Sequence, residues 1–141
     1  MYFDKLKLGQ KVTLEPAVIE KDRMLEFAER YANVPIHADE EYARSTHFGQ
    51  LLAPGVMTFL EVWAKYLEKD LFGEELLAGK STKIEWYAPV FAGDTLCGEA
   101  EITALTDRNP KNGLAELTIR VFNQEKVHVL DGIIETVVKK T

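Results

Sequence analysis

The sequence lacks the features that would place it in a membrane or outside the cell. Its 141 residues include one cysteine, Cys97, which has no partner for an intramolecular disulfide. No apolar run approaches the roughly 20 residues that a membrane-spanning helix needs. The first seven residues, Met-Tyr-Phe-Asp-Lys-Leu-Lys, lack the apolar stretch of a signal peptide. Together these absences predict a cytoplasmic protein.

Basic charge is also scarce, since 17 Lys and Arg face 23 Asp and Glu, giving a formal net charge of −6. This balance disfavours a broad nucleic-acid surface, although it leaves room for a small basic pocket. Three scattered histidines and one cysteine lack the spacing of metal ligands, and no glycines recur at phosphate-loop intervals. We therefore expect no metal, no cofactor and no nucleic-acid partner.

What is present is an apolar fraction of 46%, enough for a core, with no repeat or linker to divide residues 1–141 into more than one domain. Residues 11–19 read as a strand, and Pro16 suggests that it lies at an edge or contains a bulge. Asp22 is a plausible N-cap for a helix that Pro35 terminates. Apolar residues at helical spacing predict its buried face: Met24, Phe27, Ala28 and Tyr31. A further helical turn is expected over residues 39–45.

Residues 55–70 predict a different kind of helix. Apolar side chains occupy nearly every position and leave only a narrow charged strip, so the pattern indicates a helix buried almost all round. Pro54-Gly55 marks its start, and Gly73 is the expected stop.

The second half of the chain changes to the two-residue period of strands, over residues 80–90, 94–106, 114–124 and 126–138. Turn residues separate them at 92–94 and 109–113. A helical half followed by a strand half is typical of an α+β fold. The expected architecture is an antiparallel sheet wrapped around one central buried helix.

Two stretches carry a resemblance to a known family. The first is Tyr31-Ala-Asn-Val-Pro-Ile-His37-Ala-Asp, followed by Phe48-Gly-Gln-Leu-Leu-Ala-Pro-Gly55-Val-Met. The second is Trp86-Tyr-Ala-Pro-Val-Phe-Ala-Gly-Asp94-Thr-Leu. Together they resemble the MaoC-like dehydratases, which include the (R)-specific enoyl-CoA hydratases. The resemblance implies a hot-dog fold, an acyl-CoA or acyl-carrier thioester as substrate, and a homodimer or dimer of dimers.

Carried over by position, the family's catalytic His falls on His37, and the backbone amide that polarises the thioester carbonyl falls on Gly55. The family's Asp falls on Ala32, its Asn on Val34, and a position that commonly holds His is Pro54. The resemblance therefore implies reversible hydration of the C2–C3 double bond, with one carboxylate of the family missing. Asn33, Pro54 and Val56 are the predicted substrate-binding residues.

The chemistry fits these residue types. Imidazole titrates near neutrality, so His37 can take or give a proton. A helix start offers unpaired N–H groups to an enolate oxygen, and Gly55 has no Cβ to keep a thioester away. In a purely structural interpretation, Gly55 serves only the turn and His37 is a satisfied surface residue.

Two alternatives use the same fold. In a hot-dog thioesterase, a carboxylate on the central helix activates water, and Glu61 is the candidate, although an i,i+4 pair with Lys65 is its simpler interpretation. A non-catalytic acyl-thioester-binding protein is the other alternative, and Ala32 is what it would predict. His47 and His128 have no supporting context and are interpreted as surface or strand residues.

Overall fold

The computed structural model describes all 141 residues, with one long helix lying on an antiparallel sheet. Its elements are β1 (Lys11–Thr13), β2 (Ala17–Val18), α1 (Lys21–Tyr31), α2 (Pro35–Ala38), α3 (Glu40–Arg44), α4 (Gly55–Leu67), β3 (Leu76–Trp86), β4 (Thr95–Asp107), β5 (Asn112–Phe122) and β6 (His128–Lys139). Single 3-10 turns precede β1, at Phe3–Lys5, and β3, at Gly73–Glu75. No helix is both long enough and apolar enough to cross a bilayer.

The sheet has the order β1-β4-β5-β6-β3, and β2 pairs with the start of β4. The predicted strand 11–19 is thus two short segments along one edge, broken around Pro16, which has no N–H to give to a ladder. The three long strands β4, β5 and β6 are joined by tight connections in antiparallel register. Their bounds agree with the predicted ranges to within two residues.

The first long helix differs from its prediction at both ends. It begins at Lys21 with Glu20 as N-cap, and the Met24 N–H already bonds to the Glu20 carbonyl at 3.0 Å. Asp22 therefore lies inside the first turn, and its assignment as N-cap is wrong. Tyr31 was expected on the buried face but is 68% exposed, because it is the last residue of the helix.

Helix α4 starts at Gly55 as predicted but ends at Leu67, three residues early. The chain reverses at Asp70, which has a φ of +32°, so Gly73 is not the helix stop. Five of its residues are buried, namely Met57, Thr58, Phe59, Val62 and Tyr66, and of these Phe59 and Val62 lie against glycines of the sheet. The apolar residues Val56, Leu60 and Leu67 are exposed, so the prediction of a helix buried all round is wrong for the single chain.

Glycines let the helix approach the sheet closely. A Cβ on Gly132 of β6 would lie 2.4 Å from the Phe59 ring, and one on Gly98 of β4 would lie 2.9 Å from Val62 Cγ1. Helix α4 thus lies in direct contact with the inner surface of the sheet. This arrangement of one helix against an antiparallel sheet agrees with the predicted hot dog.

Strand β3 is the other edge and was predicted four residues too late, at 80–90. None of its eleven residues is buried, so its sequence carries no alternation from which the bounds could be read.

Candidate active site

A cavity of about 500 Å³ opens between α2, the start of α4 and the segment that follows β3. Its wall is mainly apolar, with eight hydrophobic residues among the twelve that line it. The lining residues are His37, Phe48, Leu52, Ala53, Gly55, Val56, Thr58, Trp86, Tyr87, Ala88, Pro89 and Val90. An apolar cleft with a few convergent polar groups is the usual form of a small-molecule site.

The start of α4 presents free backbone donors in this wall. Counting from the start of α4, the first backbone N–H that has an acceptor is that of Thr58, which donates to Pro54 O at 3.1 Å. The N–H groups of Gly55, Val56 and Met57 have no acceptor in the protein, and no side chain caps the helix. Such amides and the helix dipole favour a negatively charged oxygen.

Gly55 is held against an indole ring. A Cβ at this position would lie 2.6 Å from Trp86 Cε2, so any larger residue would displace the ring. Trp86 Nε1 donates to Gly55 O at 2.9 Å, and Thr58 Oγ1 donates to the same carbonyl at 2.6 Å. Glycine is therefore required here by packing, in addition to any role in binding.

His37 faces the cavity from the short helix α2, which begins at Pro35. Its Nδ1 lies 2.6 Å from Leu52 O, and Leu52 N donates in turn to Ile36 O at 3.1 Å. Because a carbonyl oxygen only accepts, Nδ1 must carry the proton in this bond. In the neutral ring, Nε2 then bears the lone pair, and it has no partner in the protein.

The other predicted site residues are divided between two places. Val56 lines the cavity, and Pro54 is buried immediately behind it as the N-cap of α4. Asn33 lies outside the cavity and lines a separate cleft with Val34 and Asp39. Asp39 itself caps α3, because its Oδ1 accepts from Tyr42 N at 3.1 Å. No aspartate or glutamate lines the cavity.

Trp86 and Tyr87 line the cavity wall, although neither was predicted as a site residue. The Tyr87 hydroxyl lies 3.2 Å from both Glu85 Oε2 and Asp131 Oδ2. Loss of surrounding water, with these two carboxylates, raises the pKa of Tyr87 to about 12. The pairing of Glu85 with Asp131 across β3 and β6 is what brings the three groups together.

His128 is the first residue of β6, in agreement with its interpretation as a surface or strand residue, but it has partners that the sequence did not indicate. Its Nε2 lies 2.7 Å from Asp131 Oδ1, and its ring stacks on Phe122 and lies against Tyr87. The i,i+3 spacing of His128 and Asp131 would not have suggested this contact within a regular strand. A register shift at Phe122–His128 makes it possible.

Glu61 lies apart from the cavity. Its Oε1 is 3.3 Å from Arg23 Nε of α1, while Lys65 pairs with Glu68 at 3.7 Å. The predicted pair of Glu61 with Lys65 is therefore wrong. Glu61 lines a different surface groove together with Arg23, Arg30 and Tyr31.

Comparisons with known proteins agree on the fold and the family. The chain superimposes on a MaoC-like dehydratase from Rhodospirillum rubrum with a TM-score of 0.89 at 24% identity, covering 100% of this chain and 98% of that one. A monoamine oxidase regulatory protein from Archaeoglobus gives a TM-score of 0.92 at 26% identity, over 100% and 95% of the two chains. The hot-dog fold is thus confirmed.

Sequence comparison gives the family. Residues 7–131 match the family described as FAS1-like, dehydratase domain region. The (R)-specific enoyl-CoA hydratase of Aeromonas caviae is 33% identical over 106 residues, which cover 74% of this chain and 73% of that protein. The chain belongs to this family of MaoC-like dehydratases and hydratases, and the predicted resemblance is confirmed.

Proposed function

We propose that this protein catalyses the reversible hydration of the C2–C3 double bond of an acyl thioester. The observation that carries the proposal is the meeting, in one apolar cavity, of a histidine with a free Nε2 and a helix start with unbonded amides. The family membership and the name of the Aeromonas relative support the same reaction.

In the proposed reaction, the thioester carbonyl oxygen accepts a hydrogen bond from the Gly55 N–H. His37 Nε2 takes a proton from water as the hydroxyl adds to C3. The π electron pair moves towards C2 and the carbonyl oxygen, giving an enolate that the amide stabilises. C2 then takes a proton from the imidazolium, which restores both the carbonyl and neutral His37. Water is consumed, and no group on the protein changes.

Ala32 makes His37 perform both proton transfers. The position is the C-cap of α1 and carries no carboxylate to hold the water or share its proton. Positioned acid–base help is worth about 10²–10⁴-fold. We therefore expect hydration to be slower than in a hydratase that has the pair.

The wall chemistry supports an acyl thioester with an apolar chain. Val56 and its apolar neighbours in the cavity would contact the acyl chain, and Pro54 fixes the helix start without adding a donor of its own. Asn33, in the separate cleft, is proposed to contact the carrier portion of the ligand. CoA and an acyl carrier protein both present this thioester.

We also propose that the protein works as a homodimer or a dimer of dimers. Strand β3 has unpaired backbone groups along its outer edge, and α4 carries exposed apolar residues, among them Val56, Leu60 and Leu67. Pairing such an edge with a second copy removes an aggregation hazard. Light scattering should give at least twice the 16.0 kDa chain mass, and a monomer at all micromolar concentrations would refute the assembly.

The functional test is hydration of a 2-enoyl-CoA, followed as loss of the conjugated substrate, beside release of free thiol. His37→Gln should lower hydration by about 10²–10⁴-fold, since it removes the only free base in the cavity. His47→Gln is the matched control, because His47 is exposed and does not line the cavity. Ala32→Asp should raise hydration.

Hydrolysis without hydration would favour a thioesterase and refute the proposal. No structural observation favours that alternative, since its candidate carboxylate, Glu61, lies outside the cavity. Binding of a non-hydrolysable enoyl-CoA analogue without turnover in either wild type or Ala32→Asp would indicate a thioester-binding protein instead.

A further inference from the structure

We propose that the same cavity also catalyses allylic isomerisation, moving the double bond of an enoyl thioester between C2–C3 and C3–C4 by a one-base proton shift. The inference rests on the proposed thioester site and adds a reaction to it. It follows from counting which polar groups of the cavity wall are free to act.

Four side chains of the wall carry exchangeable protons, and three of them are already committed. Trp86 Nε1 and Thr58 Oγ1 both donate to Gly55 O. The Tyr87 hydroxyl is held between the carboxylates of Glu85 and Asp131. Only His37 keeps a free nitrogen, Nε2, because Leu52 O occupies Nδ1.

The free hydrogen-bond donors of the cavity are backbone N–H groups. Gly55 and Val56 line the cavity, and their backbone N–H groups have no acceptor in the protein. No carboxylate is present in the wall. The cavity therefore offers one proton acceptor and one set of oxyanion donors, with nothing else to hold or activate a water molecule.

One base and one set of oxyanion donors are sufficient for isomerisation, whereas hydration also uses a group that holds the water. Both reactions make two proton transfers through one base, but hydration needs in addition a water molecule oriented against C3. Isomerisation needs one base that removes a proton and returns it elsewhere, and donors for the oxygen that becomes negative in between. The mainly apolar wall favours the reaction that involves no water.

The step balances without any co-reactant. His37 Nε2 removes a proton from C4 of a 2-enoyl thioester, and the C–H electron pair forms C3=C4. The former C2=C3 pair forms C1=C2, and the carbonyl π pair moves to oxygen, giving a dienolate held by the Gly55 amide. The oxygen pair then re-forms the carbonyl, and the C1=C2 pair takes the proton from the imidazolium at C2. The product is the 3-enoyl thioester, and His37 is neutral again.

Deuterium distinguishes the two reactions. In D₂O, isomerisation exchanges the C4 hydrogens of 2-hexenoyl-CoA, whereas hydration and its reversal never touch C4. We expect wild type to label C4 and to convert 3-hexenoyl-CoA to the conjugated isomer, both followed by NMR. His37→Gln should lower both rates by about 10²–10⁴-fold, while His47→Gln should match wild type. Ala32→Asp should shift the ratio of the two reactions towards hydration.

The outcomes separate this inference from the proposed function. Hydration of 2-hexenoyl-CoA with no label at C4 and no conversion of the 3-enoyl isomer would overturn isomerisation and leave hydration standing. C4 labelling that survives in His37→Gln would also overturn it, because another base would be responsible. Absence of both reactions, with no thermal shift from a non-hydrolysable enoyl-CoA analogue, would overturn the thioester site itself.

Discussion

Strands β3 and β5 each contain eleven residues of the same sheet, yet they differ completely in burial. In β5, between β4 and β6, six residues are buried, including Leu117 and Ile119. In β3, at the edge, none is buried, although Leu76 and Leu77 are apolar. The composition of a strand therefore does not decide its burial. The position in the sheet decides it, because α4 covers the central strands and leaves β3 uncovered.

Truncation of one leucine in each strand should show the largest contrast. Leu117 is fully buried, and Leu117→Ala should lower the free energy of unfolding by about 2–5 kcal/mol, because the core cannot close over the void. Leu77 is 49% exposed, and Leu77→Ala should stay within about 0.5 kcal/mol at protein concentrations where the chain is dissociated.

Urea unfolding measures both changes, provided that the dependence of the unfolding free energy on urea concentration has the same slope in each variant. If a second copy covers β3, the Leu77→Ala effect should grow with protein concentration while that of Leu117→Ala should not. Equal losses in dilute protein would contradict the comparison.

Addition of one methyl group tests the same contrast from the opposite direction. Gly132→Ala in β6 would place Cβ against the Phe59 ring, and we expect a loss of about 1–3 kcal/mol from overpacking. In Gly79→Ala of β3, the added Cβ meets no atom within 4 Å. This change should be neutral, or should stabilise the fold by about 0.4–1 kcal/mol because alanine lowers the conformational entropy of the unfolded chain. Thermal unfolding followed by circular dichroism checks the pair, and a destabilised Gly79→Ala would show that the edge is packed.

Acid sensitivity should give the smallest difference. Hydrogen bonding from Arg120 holds the pKa of Glu101 below its ordinary 4.5, and Lys83 and Tyr87 do the same for Glu85. A carboxyl group whose pKa is lower in the folded state than in the unfolded state stabilises the fold at any pH above its unfolded-state pKa. This stabilisation is lost as the pH falls through the folded-state pKa. Wild type should therefore lose stability on acidification below about pH 4.5.

Glutamine variants separate the two carboxylates. Glu101→Gln should flatten that loss more than Glu85→Gln, because the Glu101 side chain is 20% exposed and that of Glu85 is 52% exposed. Urea midpoints measured between about pH 6 and pH 3 provide the check. A flatter profile for Glu85→Gln than for Glu101→Gln would show that exposure does not set the difference.

The elements that the sequence predicted well are those whose pattern reflects burial on one face. Strands β4 to β6 alternate because α4 covers one side, and α4 starts at Gly55 because proline precedes it. The bounds of β3 could not be predicted, since an uncovered strand has no alternation. The exposed side of α4 was missed for a related reason, because apolar composition does not reveal whether a face is covered.

The candidate site shows the same division. His37, Gly55 and Val56 were found from local motifs, and all three line the cavity. Trp86 was missed because its contact with Gly55 joins positions 31 residues apart, where the end of β3 meets the start of α4. No local signal contains a contact of that kind. Asn33 and Pro54 followed from adjacency in the chain, which does not determine whether a side chain reaches the cavity wall.

The bond from Trp86 Nε1 to Gly55 O makes the indole a fluorescent reporter of the site. The protein has two tryptophans, and Trp63, half-buried between Phe59 and Tyr66, is the other. Trp63→Phe would leave one emitter, lying on the wall of the cavity beside the free amides. A ligand that binds those amides should shift or quench its emission, so that occupancy can be read by titration without any turnover.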